Sequence, residues 1–192
     1  MKSSFINLYN ANIKREGADK LLEYLENTDF FSAPSSTRFH SAFEGGLCQH
    51  SLKVYSKLLE LVKLQYGERW QDMFSAESIA IVGLLHDICK VNYYITELRN
   101  VKVSGGWTQR PYYTVHDKLP YGHGEKSVFI ISNYMRLSAV EALAINWHMG
   151  GFDDRVKGGS YSISEAFDKY PLCVLLHTAD LLASYLEEQR GE

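Results

Sequence analysis

Apolar positions recur with helical spacing over most of the chain, and one stretch breaks that rhythm. From Leu47 to Gln65, positions 47, 50, 54, 58 and 61 share one face, the repeat of an amphipathic helix. Four of them are leucine or valine and the fifth is His50, so this histidine points toward the core. Gly67 supplies the stop. Glu77 to Cys89 is apolar nearly all round, as a central buried helix is. Further helices are predicted over residues 18–26, 125–135, 139–148, 164–169 and 171–188, the last opened by Pro171, whose fixed φ suits a first turn.

Residues 93–115 follow a different rule. Tyr93-Tyr94-Ile95-Thr96, Val101-Lys102-Val103 and Trp107 to Val115 flank the turn Ser104-Gly105-Gly106 and are rich in aromatic and β-branched residues. They read as a β-hairpin laid over the helical core, with Pro111 weakening the second strand. The stretch from Gly150-Gly151 to Gly158-Gly159 reads as a mobile loop. The predicted architecture is an all-α bundle, a single domain over residues 1–192, with a small β-hairpin insertion at 93–115.

Composition changes this picture little but excludes several classes. The 192 residues are 45% hydrophobic and 22% charged, with a formal net charge of −3, ordinary for a globular protein with its own core. No apolar run reaches the roughly 18 residues of a membrane span, and the first residues lack a secretory apolar stretch. Cys48, Cys89 and Cys173 form no CxxC pair and no even disulfide set, which points to a reducing cytoplasm. With no basic run, a long nucleic acid is a poor partner. A small or short phosphorylated substrate fits better.

The chemistry concentrates at His86-Asp87, which follows the apolar run Ile79 to Leu85. An unpaired charge buried there forfeits several kcal/mol of hydration, a cost that a bound metal ion removes. His50 is either a core histidine bonded to a carbonyl or a ligand. His123 lies between two glycines at a helix start, where the positive helix end favours a neutral ring; a loop histidine is the alternative. His148 closes an apolar helix and either ligates or faces solvent. Asp180 sits mid-helix among leucines with no lysine or arginine three or four residues away, so it needs a metal or a distant arginine.

Taken in order, His50, His86-Asp87, His123, His148 and Asp180 resemble the ligand set of the HD-domain superfamily of metal-dependent phosphohydrolases, in the subgroup with two extra histidines. The resemblance runs from about Arg38 to Ser184. It is carried by Phe39-His40 with Gly45-Gly46-Leu47-Cys48-Gln49-His50-Ser51-Leu52, by Gly83-Leu84-Leu85-His86-Asp87-Ile88-Cys89-Lys90, and by His177-Thr178-Ala179-Asp180-Leu181-Leu182-Ala183-Ser184. The first segment is most similar to the HD-type exoribonucleases. Cys89 stands where the family often has glycine and is expected to pack.

The resemblance implies that His50, His86, Asp87 and Asp180 hold one divalent metal and that His123 and His148 hold a second, with Asp87 bridging. Nitrogen and carboxylate ligands suit Mn, Fe, Co, Ni or Zn. Two such metals about 4 Å apart would activate water for attack on phosphorus. Asp87 and Lys90 are then the catalytic candidates; Arg38, His40, Lys90 and Lys126 are the substrate-binding ones. His177, three residues before Asp180, either faces the site or packs. Tyr93, Tyr94, Trp107, Tyr112 and Tyr113 either stack a base or pack the hairpin on the bundle. The expected function is hydrolysis of a phosphomonoester or phosphodiester of a nucleotide or short oligonucleotide. The alternatives are a diiron HD-type oxygenase and a non-catalytic HD sensor.

Overall fold

The longest helix, α3 (Gly46–Tyr66), organises the molecule, which a computed structural model describes over residues 1–188. Residues 189–192, included in the expected domain, lie outside the described residues. Helix α3 buries Leu47, His50, Val54, Leu58 and Val62, the predicted stripe except that Val62 replaces Leu61 in its last turn. Before it come α1 (Lys2–Asn12), which the sequence reading did not anticipate and which buries Phe5 and Tyr9 one turn apart, and α2 (Ala18–Glu26). After it come the short α4 (Trp70–Met73) and α5 (Ala76–Leu85), buried from Ile79 to Leu85.

Helix α5 stops four residues short of the predicted end. Asp87 takes φ −105°, ψ 16°, and a 3-10 turn covers Ile88–Lys90. Apolar Ile88 and Cys89 continue the hydrophobic run, so the pattern cannot reveal the break, which turns consecutive side chains into one centre.

Strands β1 (Tyr94–Val103) and β2 (Gly106–Val115) form a two-stranded antiparallel ribbon pairing Tyr94 with Val115 and Val103 with Gly106. Pro111 lies within β2, opposite Leu98. A ribbon has two open edges, and a proline is tolerated there.

The second half comprises α6 (His123–Ser132), α7 (Ala139–Trp147), α8 (Asp154–Lys157), α9 (Ser162–Lys169) and α10 (Pro171–Leu182). The expected loop at 150–159 instead holds a 3-10 turn and α8, capped by Asp153, which accepts from the Arg155 amide at 2.8 Å. Arg155 in turn pairs with Asp153 and Glu125, each at 2.7 Å, and lies over the Trp147 ring. The last helix also ends early: α10 stops at Leu182 and a π-turn covers Ala183–Glu187.

Helix α3 packs against α5 and α10, α10 against α7, and α7 against α6. Two glycines permit close helix crossings. A Cβ on Gly83 would meet the Tyr55 Cα at 2.8 Å, and one on Gly124 would meet the Asn146 carbonyl at 2.3 Å. The first crossing brings α5 onto α3; the second brings the start of α6 onto the end of α7. The molecule is thus mostly helical with a hairpin insertion, and no helix among the described residues is long and apolar enough to cross a membrane.

Candidate metal centre

All six predicted ligands meet where these helices converge. His50 comes from α3, His86 and Asp87 from the break after α5, His123 from the first turn of α6, His148 from the end of α7 and Asp180 from α10. His50, His86, Asp87 and His148 are buried; His123 and Asp180 are partly exposed.

Asp87 divides its two oxygens between two groups. Oδ2 lies 3.3 Å from His50 Nε2 and 3.7 Å from His86 Nε2. Oδ1 lies 2.7 Å from His123 Nε2 and 3.5 Å from His148 Nε2. His50 Nε2 is also 3.3 Å from Asp180 Oδ1. The donor atoms of His50, His86 and Asp87, of His86, His148 and Asp180, of Asp87, His123 and His148, and of His40, His50 and Glu188 form four overlapping groups compact enough to hold a metal ion.

The far side of each ring fixes which nitrogen faces the centre. His50 Nδ1 donates to Glu188 Oε1 at 2.8 Å, His86 Nδ1 to the Gly83 carbonyl at 3.0 Å and His148 Nδ1 to the Ile145 carbonyl at 2.6 Å. That is the outer-shell arrangement that orients metal-binding histidines and leaves Nε2 as a lone pair. His148 Nε2 is buried without a hydrogen-bond partner. His50 Nε2 and His86 Nε2 face each other at 3.2 Å, and two lone pairs at that distance repel unless a proton or a cation stands between them. The donor set fits a metal ion.

The electrostatics show a centre that attracts positive charge. Burial pushes His86 down to about 3 and keeps it neutral. Burial opposes charge on His50 as well, but Asp180, Asp87 and Glu188 outweigh it and hold its pKa well above the usual histidine value. His123, expected to be neutral at its helix start, is instead raised to about 10 against burial, by Cys89 and Asp87. Asp87 and Asp180 stay ionised below the usual carboxylate range despite burial, the first held by Lys90 and the histidines, the second chiefly by His50.

The remaining candidates divide. Lys90 is buried, donates to Asp87 Oδ2 at 2.6 Å, and keeps its charge because Asp87 offsets the burial. It lines both a cavity of about 630 Å³, with Asp87, His123 and Asp180 in its wall, and a neighbouring one of about 330 Å³. Lys126 lines the smaller cavity, bound to Asp117 and 4.8 Å above the Tyr93 ring. His40 lines the larger one, with its ring 5.1 Å from that of His50 and its pKa lowered to about 4, mainly by burial. Arg38 is exposed, stacks over Phe39 and lines neither cavity. His177 lines the larger cavity and donates from Nδ1 to the His148 carbonyl at 2.6 Å. Cys89 Sγ is 3.5 Å from His123 Nε2, outside these donor groups.

Glu188 is the residue the sequence did not flag. The π-turn brings its carboxylate back to His50 Nδ1, while Ser41 Oγ donates to its other oxygen at 2.6 Å. In sequence Glu187-Glu188 reads as a solvated helix end, so no local signal marks it. Compared with protein-family models, curated proteins and solved structures, the chain matches none of them.

Proposed function

We propose that this chain belongs to the HD-domain superfamily and is a metal-dependent phosphohydrolase acting on a nucleotide or short phosphodiester. One observation carries the reading: the Asp87 carboxylate is shared between two histidine groups in the wall of a cavity that admits a small molecule. His50, His86, Asp87 and Asp180 would hold one ion, and His123 and His148, with Asp87, a second. Two divalent transition metals, from Mn, Fe, Co, Ni or Zn, would supply there the Lewis acidity for activating water and neutralising phosphate charge.

The protein's own groups do the rest. Lys90 keeps Asp87 ionised and presents an ammonium where non-bridging phosphate oxygens would lie. Phe39, Tyr93, Tyr94 and Phe152 line the larger cavity with ring surface suited to a base. Burial of His86 and His148 excludes water from the rear of the centre.

The test is a panel of mononucleotides, cyclic nucleotides, dinucleotides and short RNAs with Mn-loaded protein. Phosphate-ester cleavage is expected, and chelation or His86→Ala should abolish it. Oxygen uptake by an iron-loaded form, with no ester cleaved under any metal, would overturn this reading in favour of the oxygenase.

A further inference from the structure

The ribbon of β1 and β2 carries an apolar face that begins at the metal centre and runs on into solvent. Its register pairs Tyr94 with Val115, Leu98 with Pro111 and Lys102 with Trp107. Side chains an even number of residues apart share a face, so these pairs, with Tyr113, line one side from base to tip. The base lies in the cavity wall: Tyr94 and Val115 both line the 630 Å³ cavity that contains Asp87 and His123. The Tyr94 hydroxyl donates to the Ser35 carbonyl at 3.2 Å and fixes the ribbon there. Each strand then continues to its tenth residue, a reach of about 30 Å. Along it Leu98 is 63% and Trp107 73% exposed. Large apolar side chains left in water on one face mark a contact surface.

Charge selects the partner. The ribbon carries Arg99, Lys102 and Arg110 against one carboxylate, Glu97, although the chain has a formal net charge of −3. Lys102 stands opposite Trp107, an ammonium beside a stacking ring. On the reverse face Arg99 and Arg110 are opposite each other, a like-charge pair that weakens the ribbon and that an anion relieves. The sequence conceals this, because strand pairing alone brings these cations together. Rings interleaved with cations suit a single nucleic-acid strand, whose bases stack on the rings while its phosphates meet the cations. A protein partner would use the same rings but has no need of a face that starts at the metal centre. We propose that the ribbon face from Tyr113 to Trp107 is a docking platform for a single-stranded oligonucleotide whose reacting phosphate lies at the metal centre. This deepens the phosphohydrolase reading given above and rests on it.

The experiment is fluorescence anisotropy on the Mn-loaded full chain with labelled, cleavage-resistant phosphorothioate oligothymidylates of roughly two to eight nucleotides, within the span of a stacking platform. Affinity should rise with length, by on the order of tenfold or more from the shortest strand to the longest. Trp107→Ala and Lys102→Ala, both at exposed positions, should bring that ratio toward one with metal content retained, and Lys102→Ala should also flatten the salt dependence. Length-independent affinity, no binding of any strand, equal binding of a duplex, or a ratio unchanged in the folded variants would overturn the platform. So would a dimer in sedimentation equilibrium that Trp107→Ala dissolves, which would give the face to a second copy of the chain. Chelator-sensitive cleavage of bis(p-nitrophenyl) phosphate, too small to reach the ribbon tip, reads the hydrolase separately. Cleavage with length-independent binding removes only the platform; length-dependent binding with no ester cleaved removes only the hydrolase.

Discussion

Asp87 gathers more of the centre than any other residue, with His123 and His148 on Oδ1 and Lys90, His50 and His86 around Oδ2. Removing it should therefore empty both positions, whereas His123→Ala takes away one donor from one group. Elemental analysis of purified variants should find Asp87→Ala without bound metal and His123→Ala with the His50 group still loaded; full occupancy in Asp87→Ala contradicts the shared-carboxylate assignment. His50 was legible because it interrupts a stripe of leucine and valine, and Asp180 because its helix offers no cation nearby. Glu188 was not, since its role depends on a turn that no spacing encodes. Neither was the seclusion of Arg38 from the cavities: a cation near a ligand in sequence need not point the same way.

At the scale of elements, the helix faces were easier to read than the helix ends. Periodicity reports which side is buried, and α3 obeyed it almost to its last turn. Ends depend on what the chain must do next. The break after Leu85 and the π-turn after Leu182 each place a carboxylate against His50, and both lie in sequence that would continue a helix. The hairpin is separable by the same logic. It contributes none of the six ligands, and its base is tied down by the His116 amide donating to the Tyr93 carbonyl at 2.8 Å. Replacing residues 97–112 with a short glycine-serine turn should leave metal stoichiometry unchanged and alter relative rates across a substrate panel. A shortened protein that folds but binds no metal would show that the ribbon helps build the centre.

Across the whole molecule, Arg15 ties the start of the chain to the bundle. Its guanidinium meets Glu141 at 2.8 Å and Glu77 at 3.2 Å, joining the α1–α2 connection to α5 and α7. Burial would raise the Glu141 carboxyl, but Arg15, Ser78 and the Ser138 amide hold it below the usual glutamate value, and Glu77 is lowered too. A lowered carboxylate contributes stability that is present above its unfolded pKa of about 4.3 and lost as pH falls through the folded one. Arg15→Met should cost about 2–3 kcal/mol at pH 7, less than for a fully buried pair because Arg15 is partly exposed. In urea melts the gap to the wild type should narrow below about pH 4.3; parallel curves would assign the stabilisation elsewhere. The six candidate ligands are spread from residue 50 to residue 180, which has a bearing on folding itself. A disordered chain cannot chelate through donors separated by such long loops without a large entropic cost, so a two-ion centre built from all six would act as a clasp that closes only on the finished tertiary structure. Its binding energy would then add to the folding energy almost undiluted, and a chain purified with its metal would carry its own certificate of correct assembly.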